Sequence, residues 1–193
     1  MKTNLLTALC FLFLCACQAP EIETYSVIPY PQEVDYTPGF FKLGKEPIIV
    51  YSDNLENEAL LLQDALSSDF SINTTIKEGK SKGDIRLFLE SDFLPANPEG
   101  YELKVNSGNI EIKANDPAGI LNGIQTLRQI IKEKDGNYRI QRAKILDYPV
   151  FSWRAFMLDE GRYFKGKEVV FELLDQMSQL KMNVFHWHLT DDQ

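Results

Sequence analysis

Beyond residue 17 this sequence contains no cysteine. Its three cysteines, Cys10, Cys15 and Cys17, all fall at the very start of the chain. A disulfide framework, a cysteine nucleophile and a zinc-thiolate site are therefore excluded from the body of the protein, which must hold together by its core alone. Histidine is equally scarce: only His186 and His188 occur. Positive charge is outnumbered, with 20 Lys and Arg against 28 Asp and Glu and a net charge of -8. Such a chain lacks the basic face that phosphate neutralisation requires, so nucleic acid is not an expected partner. No repeat, low-complexity block or membrane-length apolar run is present. What remains, 44% hydrophobic and 25% charged, is the composition of a globular protein. Its 193 residues leave room for one domain, or a small domain and part of a second.

The N-terminus reads as a signal. Lys2 precedes an apolar run from Leu5 to Leu14, right for a signal core and too short to span a bilayer. The run ends in Leu14-Cys15-Ala16-Cys17, which resembles the bacterial lipobox. By that resemblance residues 1–16 are removed and Cys17 carries the lipid, placing the protein on the periplasmic or surface side of a bacterial envelope. A plain signal peptide cut nearby is the competing reading. Residues 18–26 then form a tether.

Residues 27–146 mix strand and helix signals. Ile48–Tyr51 is a short buried strand. Asp53, with Glu56 three residues on, offers a capping box. Leu55, Ala59, Leu62, Leu66 and Phe70 follow at helical spacing. Ile85–Leu89, Tyr101–Val105 and Ile110–Ala114 alternate with period two, and Asn106-Ser107-Gly108-Asn109 is hairpin-turn chemistry. Asp116-Pro117 opens a second helix with the stripe Ile120, Ile124, Leu127 and Ile131, which Gly136 ends. Tyr138–Ala143 returns as a strand. The expected domain is α+β: an antiparallel-rich sheet with helices on one face. It carries no obvious catalytic chemistry.

Residues 147–193 change character. A strand over 153–159, an amphipathic helix marked by Val170, Leu173, Met177 and Leu180, and a strand over 183–189 make a βαβ unit. Two parallel strands are normally part of a larger sheet or barrel. Polar residues gather at both strand ends: Asp159 and Arg162 after the first, His188 and Asp191 after the second. That end is where parallel α/β architectures place their sites. Arg162 offers a planar fork suited to paired hydroxyls or a carboxylate, or it simply pairs with Asp159 or Glu160. His186 and His188 share one strand face, with Phe185, Trp187 and Leu189 on the other. A His-x-His pair suits a metal, but further ligands would be needed and the chain has no other histidine. Asp159 and Glu160 are tempting as a carboxylate pair. Neighbours on a strand point apart, so at most one would face a site.

Three segments in order, Trp153-Arg154-x-x-Met157-Leu158-Asp159-x-x-Arg162-x-Phe164, Asp175-x-Met177 and Lys181-x-Asn183-x-Phe185 to Gln193, closely resemble family 20 glycoside hydrolases, the β-N-acetylhexosaminidases. Ile28-Pro29-x-Pro31, Glu99-Gly100-Tyr101-x-Leu103-x-Val105 and Ala118-Gly119-x-x-x-Gly123-x-x-Thr126-Leu127-x-Gln129 resemble that family's non-catalytic domain. The resemblance implies a (β/α)₈ TIM barrel begun by residues 147–193 and left incomplete. It implies removal of terminal β-linked N-acetylglucosamine or N-acetylgalactosamine from glycans, with retention. The substrate's own acetamido oxygen is the nucleophile, and no metal or organic cofactor takes part.

Carried over by position, Arg162 binds sugar hydroxyls and Asp191 supports a relay through a later histidine to the acid. Asp159 holds Arg162 or shapes the pocket, and His188 supports the site from behind. Tyr163 stands where the family usually has His, and Ala155 where it has Gly. The family's catalytic Asp-Glu pair belongs further along than residue 193, so this chain alone is expected to be inactive. Two other readings stay open: a metal-dependent hydrolase built on His186 and His188, and a non-enzymatic glycan-binding lipoprotein using residues 25–146.

Overall fold

The computed structural model describes residues 22–52, 54–90 and 97–190. The readings on Cys17, Asp53 and Asp191 lie outside the described residues. A sheet runs through the first part of the chain. Its strands are β1 (Glu33–Leu43), β2 (Ile48–Tyr51), β3 (Thr75–Glu78), β4 (Ile85–Leu89), β5 (Tyr101–Val105), β6 (Ile110–Ala114), β7 (Lys132–Lys134) and β8 (Asn137–Asp147). They lie in the order β1-β8-β5-β6-β4-β2-β3, with β7 paired to β8. The β1-β8-β5-β6 half and the β7–β8 pair are antiparallel, while β6-β4-β2-β3 is parallel. The sheet is therefore mixed, with the antiparallel pairings the more numerous among the described residues. The parallel half arises because β2, β3, β4 and β6 are joined by crossovers that return the chain to the same edge, one of them helix α1 (Glu56–Phe70).

Period-two alternation sets the two faces. Tyr101, Leu103 and Val105, Ile110 and Ile112, and Ile85 and Leu87 are buried. They join one core cluster with Leu55 at the cap of α1, Leu62 and Leu66 of α1, and Ile120, Ile124 and Leu127 of helix α2 (Pro117–Ile130). Fully burying each such side chain stabilises by about 1.5–3 kcal/mol. The intervening residues face water and pair across strands, Arg86 with Glu111 at 2.6 Å and Lys144 with Glu102 at 2.9 Å. Solvent screening leaves such partly exposed pairs a minor contribution.

Helix α1 has Leu55 in the cap position. Two local readings change. Helix α2 ends at Ile130, and Gly136 (φ 72°) instead turns the β7–β8 hairpin. The last tether residues are bound: Tyr25 is buried, Glu23 pairs with Arg139, and the Glu23 N–H donates to Gln141 Oε1 at 3.0 Å.

Helix α2 seats on β5 and β6 through Gly119 and Gly123. A Cβ at 119 would lie 2.2 Å from the Gly100 carbonyl oxygen and 2.7 Å from Ala114 Cβ. The obstruction is backbone, so the helix itself must shift. Gly119→Ala is expected to lower stability by about 1–3 kcal/mol or more despite alanine's better helix propensity. A urea midpoint equal to or above wild type would contradict this.

Candidate functional site

The second part of the chain is strand β9 (Ala155–Asp159), helix α3 (Lys167–Gln179) and strand β10 (Val184–His188). The strands are parallel and in register, Val184 opposite Ala155 and His188 opposite Asp159. Met157, Asp159, His186 and His188 thus share one face, and Phe156, Leu158, Phe185 and Trp187 the other. On α3, Val170 and Met177 are buried and Leu174 is 38% exposed, while Leu180 at its C-cap is 42% exposed.

At the C-terminal ends, Asp159 Oδ1 lies 3.0 Å from His188 Nδ1 and accepts the Gly161 N–H at 3.0 Å. The Gly161 N–H, the His188 bond and the nearby charge of Arg162 hold the Asp159 carboxyl below its ordinary pKa. An ionised carboxylate only accepts, so Nδ1 is the nitrogen that carries the proton of this bond. Arg162 is exposed in the turn that follows β9. Asp159 therefore bonds His188 and its own turn directly and acts on Arg162 by charge. Glu160 turns the other way. It is 4% exposed, accepting the Trp187 Nε1–H at 2.6 Å and the Lys165 N–H at 2.6 Å. The adjacent acids do point apart. His186 is exposed, and among the described residues no three His, Cys, Asp or Glu side chains are grouped to hold a metal.

The joint between the two parts holds residues whose burial the sequence did not signal. Lys181, 6% exposed, donates from Nζ to Asp147 Oδ2 at 2.7 Å and to Tyr101 Oη at 2.9 Å. The Tyr101 hydroxyl donates to the same Asp147 oxygen at 2.9 Å and lies 2.6 Å from Thr126 Oγ1. Burial pushes the Lys181 ammonium below its ordinary pKa, against the pull of Asp147. Arg154 grips Glu99 with two bonds, 2.7 and 3.0 Å, and its Nε donates to the Lys181 carbonyl at 2.6 Å. The Arg154 bond holds the Glu99 carboxyl below its usual range. A cavity of about 240 Å³ lies at this joint, bordered by Pro29, Tyr30, Tyr148, Pro149, Asp147 and Lys181, away from Asp159 and His188.

Comparison with known proteins agrees with this division. Residues 24–148 match the model of glycosyl hydrolase family 20, domain 2, and residues 151–193 that of the family 20 catalytic domain. A β-hexosaminidase of Porphyromonas gingivalis is 32% identical over 95% of this chain, which spans 26% of that protein. A β-N-acetylhexosaminidase of Cellulomonas fimi is 32% identical over 87% of this chain, which spans 35% of it. A family 20 exo-β-N-acetylglucosaminidase from Vibrio harveyi, solved with N-acetylglucosamine, is 26% identical and superposes with a TM-score of 0.77, over 89% of this chain and 27% of that one. A Streptomyces plicatus N-acetyl-β-hexosaminidase superposes at 0.75, with 30% identity over 86% of this chain and 35% of that one. The chain thus spans about a quarter to a third of the length of these relatives. Matching one family across both of its parts, this chain belongs to glycoside hydrolase family 20.

Proposed function

We propose that this chain is the N-terminal part of an exo-β-N-acetylhexosaminidase and that β9 and β10 open its TIM barrel. The observation that carries the reading is the Asp159–His188 bond at the shared C-terminal strand end, with Arg162 in the next turn. That is the end where barrel enzymes assemble their sites. Arg162 grips hydroxyls of the terminal N-acetylhexosamine. Asp159 fixes the tautomer and orientation of His188 behind it. Asp191 supports the relay toward the general acid. In the complete site the substrate's acetamido oxygen displaces the leaving group at C1. An acid glutamate protonates the glycosidic oxygen, and water then opens the intermediate with retention. Cys17, lipidated, holds the enzyme to a bacterial envelope membrane, where N-acetylhexosamine-terminated glycans reach it.

The test compares this chain with the product of the gene read through codon 193, using 4-nitrophenyl N-acetyl-β-glucosaminide. The expected result is hydrolysis by a product containing a whole barrel and none by residues 22–193. Hydrolysis abolished by a chelator and restored by zinc would favour the metal reading on His186 and His188 instead.

A further inference from the structure

Glu160 does not belong to the strand-end chemistry, yet it is buried and bonded by both carboxylate oxygens. Oε2 accepts the Trp187 Nε1–H from the neighbouring strand β10. Oε1 accepts the Lys165 N–H from the far end of its own turn. Its backbone N–H donates to the His188 carbonyl at 2.8 Å. The near end of the turn is held separately, by the Gly161 N–H on Asp159 Oδ1. Arg162, Tyr163 and Phe164 are thus the span of a short arch, pinned at residue 161 by Asp159 and at residue 165 by Glu160. The arch is fastened to β10 through Trp187.

From this arrangement we infer that Glu160 is the positioning residue for Arg162, locking the turn that carries it to the strand that carries His188. The inference rests on the sugar-binding role of Arg162 proposed above. A guanidinium fork needs its stem fixed if it is to meet two hydroxyls at once, because each bond is lost steeply with misalignment. Ordering a long side chain on binding costs free energy, and a fixed turn reduces what must be ordered. A carboxylate buried between two N–H donors is a stiff tie, since charge-assisted bonds are short and breaking one leaves a buried acceptor unpaired. Glu160 thereby acts through the turn without touching sugar.

The test has two arms. The first uses this chain. In ¹⁵N-labelled protein the Trp187 indole and Lys165 amide protons are expected to exchange at least tenfold faster in Glu160→Ala than in wild type. Each bond can be removed singly. Trp187→Phe removes one donor, and Glu160→Gln leaves one acceptor oxygen in place of two. The double variant is expected to be no worse than either single one, because the remaining carbonyl then serves Lys165 alone.

The second arm uses the complete barrel protein and 4-nitrophenyl N-acetyl-β-glucosaminide. Each single variant is expected to raise KM about tenfold while kcat changes less than threefold, the signature of lost ground-state binding. Loosened protons with KM unchanged would overturn the positioning role and leave the enzyme reading standing. Unchanged proton exchange in Glu160→Ala would overturn the tie itself. A wild-type protein that does not hydrolyse the sugar, with the tie intact in the first arm, would overturn the enzyme reading and this role together.

Discussion

Lys181→Ala is expected to destabilise the chain by about 3–5 kcal/mol, the cost of leaving one member of a buried ion pair alone. Its partner Asp147 would retain the Tyr101 hydroxyl at 2.9 Å and the Gln32 N–H at 3.3 Å, but no cation from Lys181. The pair joins the last residue of β8 to a residue between α3 and β10. Both tryptophans, Trp153 and Trp187, lie in the second part. Their fluorescence therefore follows β9, α3 and β10, while far-ultraviolet dichroism is dominated by the first part, with its sheet and helices α1 and α2. In urea the tryptophan transition of Lys181→Ala is expected to precede the dichroism transition, because the second part can leave before the sheet melts. The pair Lys181→Met with Asp147→Leu is expected to recover at least about 1 kcal/mol over the single variant. It removes both charges, and the Tyr101–Thr126 bond survives it. Coincident transitions at the wild-type midpoint would contradict this account.

That joint shows where sequence reading stops. The inward alternation of Tyr101–Val105 and Ile110–Ala114 was legible because a strand repeats every two residues and the core sits on one side. So was the stripe from Leu55 to Leu66, because one face of a helix meets one core. The burial of Lys181 was not. Its partner Asp147 is 34 positions away and its other contact, Tyr101, is 80 away. Locally it reads as a helix end with a lysine, the commonest of surface features. β1 also escaped, for a different reason. Pro38 and Gly39 interrupt its pattern at a bulge, where Gly39 has φ 98° and the buried Gln141 amide donates to the Thr37 and Gly39 carbonyls. β3 carries one half-buried apolar residue, Ile76, and lies at the sheet edge, so there is no alternation to detect.

The candidate site divides in the same way. Opposite orientations of Asp159 and Glu160 follow from strand geometry alone, as does the shared face of His186 and His188. The partners do not. That Asp159 meets His188 depends on the parallel register of two strands separated by a helix. The tie of Glu160 to Trp187 depends on that same register, reached diagonally because Trp187 itself stands opposite Leu158. A dipeptide of acids gives no hint which neighbour will be an imidazole and which an indole. The motif segments Glu99-Gly100-Tyr101 and Trp153-Arg154, far apart in sequence, meet at the joint through the Glu99–Arg154 pair. Their co-occurrence in one chain has a physical basis in that contact.

The other large effect concerns the sugar. On the function proposed above, Arg162→Ala in the protein with a whole barrel is expected to lower kcat/KM for an N-acetyl-β-glucosaminide by about 10²- to 10⁴-fold. Two hydrogen bonds from a cation to neutral hydroxyls contribute about 1.5–3 kcal/mol each, and each 1.4 kcal/mol is a factor of ten. Arg162→Lys should recover only part of the loss, because an ammonium presents its donors around a point and not as a planar fork. The decisive comparison removes the partner from the substrate. A deoxy analogue lacking one gripped hydroxyl should cost the wild-type enzyme heavily, since a guanidinium donor is then left unpaired in the site. The same analogue should cost Arg162→Ala little, because there the hydroxyl has already lost its partner. Equal losses on wild type and variant would show that Arg162 does not touch that hydroxyl. A role through charge alone, such as the one Arg162 exerts on Asp159, is one that a lysine could maintain. On that role the lysine variant restores nearly full activity, so the two roles for this arginine predict opposite outcomes from a single substitution.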